Sequence, residues 1–271
     1  MPSVRTGDFD CFYQEDDFTD PWLETDSVLI QHGFGRNGNY WANWVPPLAQ
    51  HYRVIRRDMR GHGGSTDSGP DYRWSVEGLI EDIVLFLDAL ELDAVHYVGE
   101  SVGGPTGIAL AASHPERLKS LTVVSGPLRL DEPVQKFLRG RFPDFPTALR
   151  ELGPGGYVTQ NPLRDPDDPL ERAEREWQRR EWERTNGYVL EGLSRLTPHV
   201  DVEELLPRVS VPTLILAPAD SPLAPLSDQV KMRERIPDAR IEVIEGHGHN
   251  FHPHEPARCT AAIHRMIQSL G

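Results

Sequence analysis

The chain has 271 residues, 38% hydrophobic and 26% charged, a composition that can bury a substantial core and excludes a disordered chain. Its 28 Lys and Arg stand against 42 Asp and Glu, and the formal charge of −14 would repel a phosphate backbone, which argues against nucleic acid as a partner. Two cysteines, Cys11 and Cys259, are too few for a disulfide scaffold and lack zinc spacing. With no visible secretory leader and no uninterrupted apolar run of about 18 residues, the expected setting is cytoplasmic and away from the membrane.

Taken in chain order, short β-branched apolar runs recur at Val28 to Ile30, Val54-Ile55, Val95 to Val98, Leu121 to Val124, Thr213 to Leu216 and Ile241 to Ile244. Each is continuously apolar, as strands covered on both faces are. Between them lie helical patterns. Ser75 is a good N-cap for a helix whose apolar positions are Val76, Leu79, Ile80, Ile83, Leu87 and Leu90. Pro256 suits a first turn, with Cys259, Ile263, Met266, Ile267 and Leu270 following on one face. Strands alternating with helices predict an α/β fold with a mostly parallel sheet and right-handed crossovers.

The alternation breaks from Pro127 to Pro207, a stretch rich in Pro and Gly with no buried-strand signal. Leu170 to Arg184 reads as a helix, with Trp177 and Trp182 among alternating Glu and Arg, and it is either a solvated surface helix or part of an insertion over one sheet edge. About 80 residues is too long for a plain loop and points to an organised subdomain.

The chemistry concentrates at Gly99-Glu100-Ser101-Val102-Gly103-Gly104, which follows one strand and opens a helix. This is G-x-S-x-G in a strand, sharp turn, helix context. The glycines keep Cβ atoms out of a tight turn, the serine is presented above the sheet in a strained conformation, and the helix N-terminus favours developing negative charge.

Here the sequence resembles the α/β-hydrolase superfamily over most of its length, the 127–207 insertion excepted. The resemblance implies a hydrolase core made of residues 1–126 and 208–271, with residues 127–207 as a helical cap. His32-Gly33-Phe34-Gly35 after the strand Ser27 to Ile30 looks like the oxyanion loop, so the N–H groups of Phe34 and Val102 would hold the oxyanion. The run Asp58 to Ser65 resembles a structural turn of the family. In the family order of Ser, acid, His, the nucleophile is Ser101, and Asp220 stands at the acid position after Leu214 to Ala219. Ala217 and Pro218 depart from the usual acid loop. Asp228 is a second carboxylate to weigh, and Asp131 and Glu132 follow the strand where some members carry their acid. The glycine-histidine after the last strand selects His249 as the base. Four histidines in eight residues (His247, His249, His252, His254) also raise a metal site, but no companion ligand motif is present. His247, His252 and His254 are read as loop and surface residues, and no metal or cofactor is implied.

Aromatic residues crowd the expected pocket. Gly33, Trp41, Pro127, Trp177, Trp182, Leu223 and Phe251 are the substrate-binding candidates, favouring a small to medium apolar or aromatic ester or lactone. Trp44 is read as core. Arg36 could pair with a substrate carboxylate or simply face solvent. The expected activity is that of a serine esterase or lactonase working through an acyl-enzyme, for a monomer or a homodimer. A carbon–carbon bond hydrolase or enol-lactonase is the alternative. A hydrolase-fold ligand receptor with little turnover is the second. Ser101 excludes the branches that carry Asp at the nucleophile position, the haloalkane dehalogenases and epoxide hydrolases.

Overall fold

The computed structural model describes residues 2–160 and 165–271. In chain order its elements are β1 (Ser3–Thr6), β2 (Phe9–Asp16), β3 (Ser27–Gln31), α1 (Val45–Ala49), β4 (Arg53–Arg57), α2 (Val76–Ala89), β5 (Val95–Glu100), α3 (Gly103–Ser113) and β6 (Leu118–Val124). There follow α4 (Glu132–Arg139), α5 (Phe145–Val158), α6 (Pro169–Trp182) and α7 (Gly187–Ser194), then β7 (Thr213–Pro218), α8 (Leu226–Arg235), β8 (Ala239–Ile244) and α9 (Pro256–Gln268). Among the described residues the strands form one eight-stranded sheet in the order β1-β2-β4-β3-β5-β6-β7-β8. β3 to β8 run parallel, and β1 and β2 add an antiparallel edge.

The six apolar runs seen in the sequence fall inside β3 to β8, and in β3 and β7 every residue is buried. The period of two sorts their side chains between two cores. Leu29, Ile55, Tyr97 and Ile215 pack on one face with Ile80, Ile83 and Leu87 of α2, Ile108 of α3 and Met232 of α8. Val28, Ile30, Val54, Val98 and Leu216 pack on the other with Leu48 of α1 and Cys259, Ile263 and Met266 of α9. Each such aliphatic side chain contributes about 1.5–3 kcal/mol by leaving water. Ser75 caps α2 as its residue type suggests, its Oγ accepting the Gly78 N–H at 3.0 Å. Sequence reasoning missed β1 and β2, whose residues are only half buried on an edge; the alternation of buried Phe9 and Cys11 with their neighbours was the available signal.

Between β6 and β7 the chain leaves the sheet. The exit and return are tied together, because the Leu130 N–H donates to Val200 O (3.1 Å) and the Val202 N–H to Leu128 O (3.1 Å). α4 to α7 lie within this excursion, whereas Val202 and Leu206 have already rejoined the sheet core. No helix among the described residues is long and apolar enough to cross a membrane.

Candidate active site

The turn between β5 and α3 is as tight as its glycines suggest. A Cβ on Gly99 would lie 2.1 Å from Gly103 O, and one on Gly103 would lie 2.8 Å from Gln31 O. Ser101 between them has a φ of 52°, in the left-handed region that a side chain rarely adopts, and its N–H donates to Val124 O at 3.0 Å. The fold spends conformational energy to hold that hydroxyl at the head of α3.

His249 follows β8 in a short 3-10 turn, Gly248–Asn250. Its Nε2 is 3.1 Å from Ser101 Oγ. Ser125, at φ 48° just past β6, donates its hydroxyl to His249 O at 2.8 Å and pins the loop. Among the described residues, the N–H groups of Phe34 and Val102 have no acceptor within the protein. They are two unpaired backbone donors beside the serine.

The carboxylate arrangement differs from the expectation. Asp220 lies at the cavity rim, exposed, and among the described residues no hydrogen bond or ion pair joins it to His249. His249 Nδ1 instead meets Ser221 Oγ at 3.2 Å. The reason is local. Ser221 Oγ accepts the N–H groups of Leu223 and Ala224, which turns residue 221 inward, 6% exposed, and its neighbour outward. Asp228 sits half-buried on α8, where burial raises its carboxyl against the pull of Arg129 and Lys231. Asp131, the residue before α4, lies near Arg129, and Glu132 pairs with Arg139; neither reaches the imidazole.

The carboxylate that does lie near the serine is Glu100, which is fully buried. Its Oε2 accepts the Gly33 N–H at 2.8 Å, and its Oε1 lies 3.2 Å from Arg36 Nη1 and 3.9 Å from His249 Nε2. Burial raises its carboxyl, with Arg36 and the Gly33 N–H pulling the other way. Arg36 also donates to His252 Nε2 (3.0 Å) and Asn250 Oδ1 (2.5 Å). Burial, reinforced by the Arg36 charge, pushes His249 down to about 3. A charged residue at the buried end of a strand is a signal that sequence reading had available and left unused.

A cavity of about 430 Å³ opens over Ser101, His249 and Val102. Its walls include Phe34, Phe145, Tyr157 and Trp182, with Leu130 and Leu138. Of the substrate-binding candidates, Pro127, Trp182 and Leu223 line it. The others serve elsewhere. Trp41 and Phe251 are fully buried in the core against α1 and α9, Trp41 stacking on His252 at 4.6 Å. Trp177 packs on Tyr40 at 4.5 Å, behind the wall. Gly33 is a backbone donor to Glu100, and a Cβ there would lie 2.4 Å from that carboxylate. Trp44 is core, its indole donating to His252 O. His252, read as a surface residue, is wholly buried because it fills the space between Trp41 and Arg36. His247 and His254 stack on each other at 4.5 Å. Among the described residues no group of three or more His, Cys, Asp or Glu converges as metal ligands.

A parallel sheet whose β5–α3 turn presents a strained serine to a histidine from the loop after the last strand defines a hydrolase of the α/β type. The chain belongs to the α/β-hydrolase fold family, whose model matches residues 26–256. It is similar to the protein named "Putative carbamate hydrolase RutD" of Caulobacter sp. (strain K31), 31% identical over 265 residues that cover 96% of this chain and 97% of the relative. Among solved structures it resembles the enol-lactonase from Burkholderia xenovorans LB400, with a TM-score of 0.84, 22% identity, and 98% and 100% of the two chains covered. It also resembles a hydrolase from Pseudomonas aeruginosa PA01, with a TM-score of 0.83, 25% identity, and 98% and 97% covered.

Proposed function

We propose that this hydrolase cleaves a carboxylic ester or lactone of a small to medium apolar or aromatic compound through an acyl-enzyme on Ser101. The observation that carries the reading is the 3.1 Å approach of His249 Nε2 to Ser101 Oγ at the floor of a largely apolar cavity. His249 Nε2 takes the Ser101 proton as Oγ bonds to the carbonyl carbon. The displaced electron pair goes to the carbonyl oxygen, which accepts from the N–H groups of Phe34 and Val102. Each such donor is worth about 3 kcal/mol in the transition state. His249 then gives the proton to the departing alkoxide, and the same base activates water to release the acid. The helices α4 to α7 act as a cap, with Trp182, Phe145 and Tyr157 closing the cavity over the acyl group.

The name of the Caulobacter relative, a putative carbamate hydrolase, favours a second reading, hydrolysis of a carbamate, in which the same atoms act and a C–N bond breaks. The cavity volume and its aromatic walls favour the larger acyl substrate. A screen of p-nitrophenyl acetate, p-nitrophenyl butyrate and aromatic lactones, with ammonia release from carbamates measured in parallel, separates the two. Steady turnover lost in Ser101→Ala supports the proposal. Turnover that survives Ser101→Ala would refute it, and tight stoichiometric ligand binding with no turnover would favour a receptor.

A further inference from the structure

A histidine base needs a partner at Nδ1, because only a ring protonated there leaves Nε2 free to accept from a serine. The partner of His249 Nδ1 is Ser221 Oγ at 3.2 Å. That oxygen already accepts two backbone N–H groups, from Leu223 at 3.2 Å and from Ala224 at 3.1 Å. A hydroxyl has two lone pairs and one hydrogen. With both lone pairs engaged, the Ser221 hydrogen is the one directed at Nδ1, and the neutral ring carries its own proton on Nε2, facing Ser101.

The surrounding charges do not favour the other tautomer. Asp220 is turned outward, and Glu100, 3.9 Å from Nε2 on the Ser101 side, is offset by Arg36. Ser125 fixes the His249 backbone rather than its ring.

Taking Ser101 and His249 as nucleophile and base, we infer that Ser221 is the positioning residue of His249, standing where a carboxylate would, and that it holds the ring in a resting tautomer protonated at Nε2. Turnover then proceeds from the minor tautomer. Nε2 gives its proton to water, Nδ1 takes one from water, and the Ser221 hydroxyl rotates, releasing one of the Leu223 and Ala224 N–H groups to water so that the freed lone pair accepts from Nδ1–H. Charge and proton count are unchanged, and Nε2 is left as the acceptor for Ser101. The tautomer matters because its loss costs a serine protease about 10⁴ in kcat.

The test is Ser221→Asp. An aspartate can keep the Leu223 and Ala224 N–H bonds, and its charge selects Nδ1–H. Kinetics with p-nitrophenyl butyrate over acid to alkaline pH should give a kcat raised by at least about tenfold, with KM within about threefold and the acidic limb moved upward. In ¹⁵N-histidine-labelled wild type, the His249 Nδ1 resonance should be that of an unprotonated nitrogen and should move in Ser221→Ala. A kcat unchanged or lowered in Ser221→Asp that melts like wild type overturns the inference. A protonated Nδ1 in the wild type overturns it as well, as does a loss of about a hundredfold or more in Asp220→Asn. If the wild type shows no Ser101-dependent turnover, the proposed function fails, and the Nδ1 resonance alone decides the role of Ser221. It decides equally if Ser221→Asp does not fold.

Discussion

Arg36 Nη1 lies 3.2 Å from Oε1 of Glu100, the residue before Ser101, with side-chain exposures of 12% and 0%. The pair joins the loop after β3 to the turn that carries Ser101. Glu100 Oε2 holds the Gly33 N–H at the same time, so one buried carboxylate fixes both halves of the site. Removing the cation strands a buried charge. Arg36→Met should lower folding stability by about 3–5 kcal/mol, read from urea midpoints. An unchanged midpoint would mean that the pair is dispensable.

Burial, reinforced by the same cation, depresses His249, which stands at about 3 in the folded protein against an ordinary 6.5. The active form of the base is neutral, so activity is lost only on protonation. The acidic limb of kcat/KM for p-nitrophenyl butyrate should therefore fall well below pH 6.5, with a plateau across pH 5 to 7. In a less destabilising variant such as Arg36→Lys, the plateau should persist, because the charge remains.

Burial also holds His32, His62 and His252 neutral, with His62 down to about 4. The unfolded chain binds protons at these four histidines, His249 included, from about pH 6.5 downward, while the folded chain does not. Stability is therefore fully present above 6.5 and is lost as the pH falls toward the folded values, each histidine contributing up to about 1.4 kcal/mol per pH unit. Melting temperatures measured from pH 7.5 down to 4.5 should fall steeply below 6.5. A flat profile would contradict the buried neutral state.

Trp182 stacks with Tyr157 at 5.7 Å and lies 6.0 Å from Phe34, so it closes one wall of the cavity. Trp182→Ala should raise the preference for octanoate over butyrate p-nitrophenyl esters by about tenfold, as one or two methylenes are worth 1–3 kcal/mol in such pockets. Trp177→Ala, behind the wall, should leave that ratio near wild type. Equal shifts in both variants would remove Trp182 from the pocket.

Gly99→Ala forces a Cβ to within 2.1 Å of the Gly103 carbonyl oxygen, which belongs to backbone and cannot swing aside. It should cost more than the 1–3 kcal/mol usual for overpacking and abolish soluble expression. Soluble, active Gly99→Ala protein would show that the turn has slack.

Much of this molecule was legible in one dimension. Six strands were readable because side chains buried on both faces leave a continuous apolar run, and Ser101 because strand, glycines and helix make a local pattern that needs no distant partner. His249 was found from its place after the last strand. The edge strands β1 and β2 were not, since a half-buried edge leaves only a weak alternation.

What the sequence could not contain is the direction in which adjacent side chains point. Asp220 and Ser221 are neighbours, and a turn closed by the Leu223 and Ala224 N–H groups sends the carboxylate out and the hydroxyl in. Trp41 and Phe251 are pocket candidates by sequence, but the packing of α1 and α9 encloses both in the core. The sequence by itself determined the sheet and singled out Ser101 and His249, the nucleophile and base we propose, because those depend on local spacing and hydrophobic period. The partner of the imidazole, the buried Glu100–Arg36 pair and the cavity walls were decided only by the tertiary structure, because each arises from contacts between segments that lie far apart in the chain.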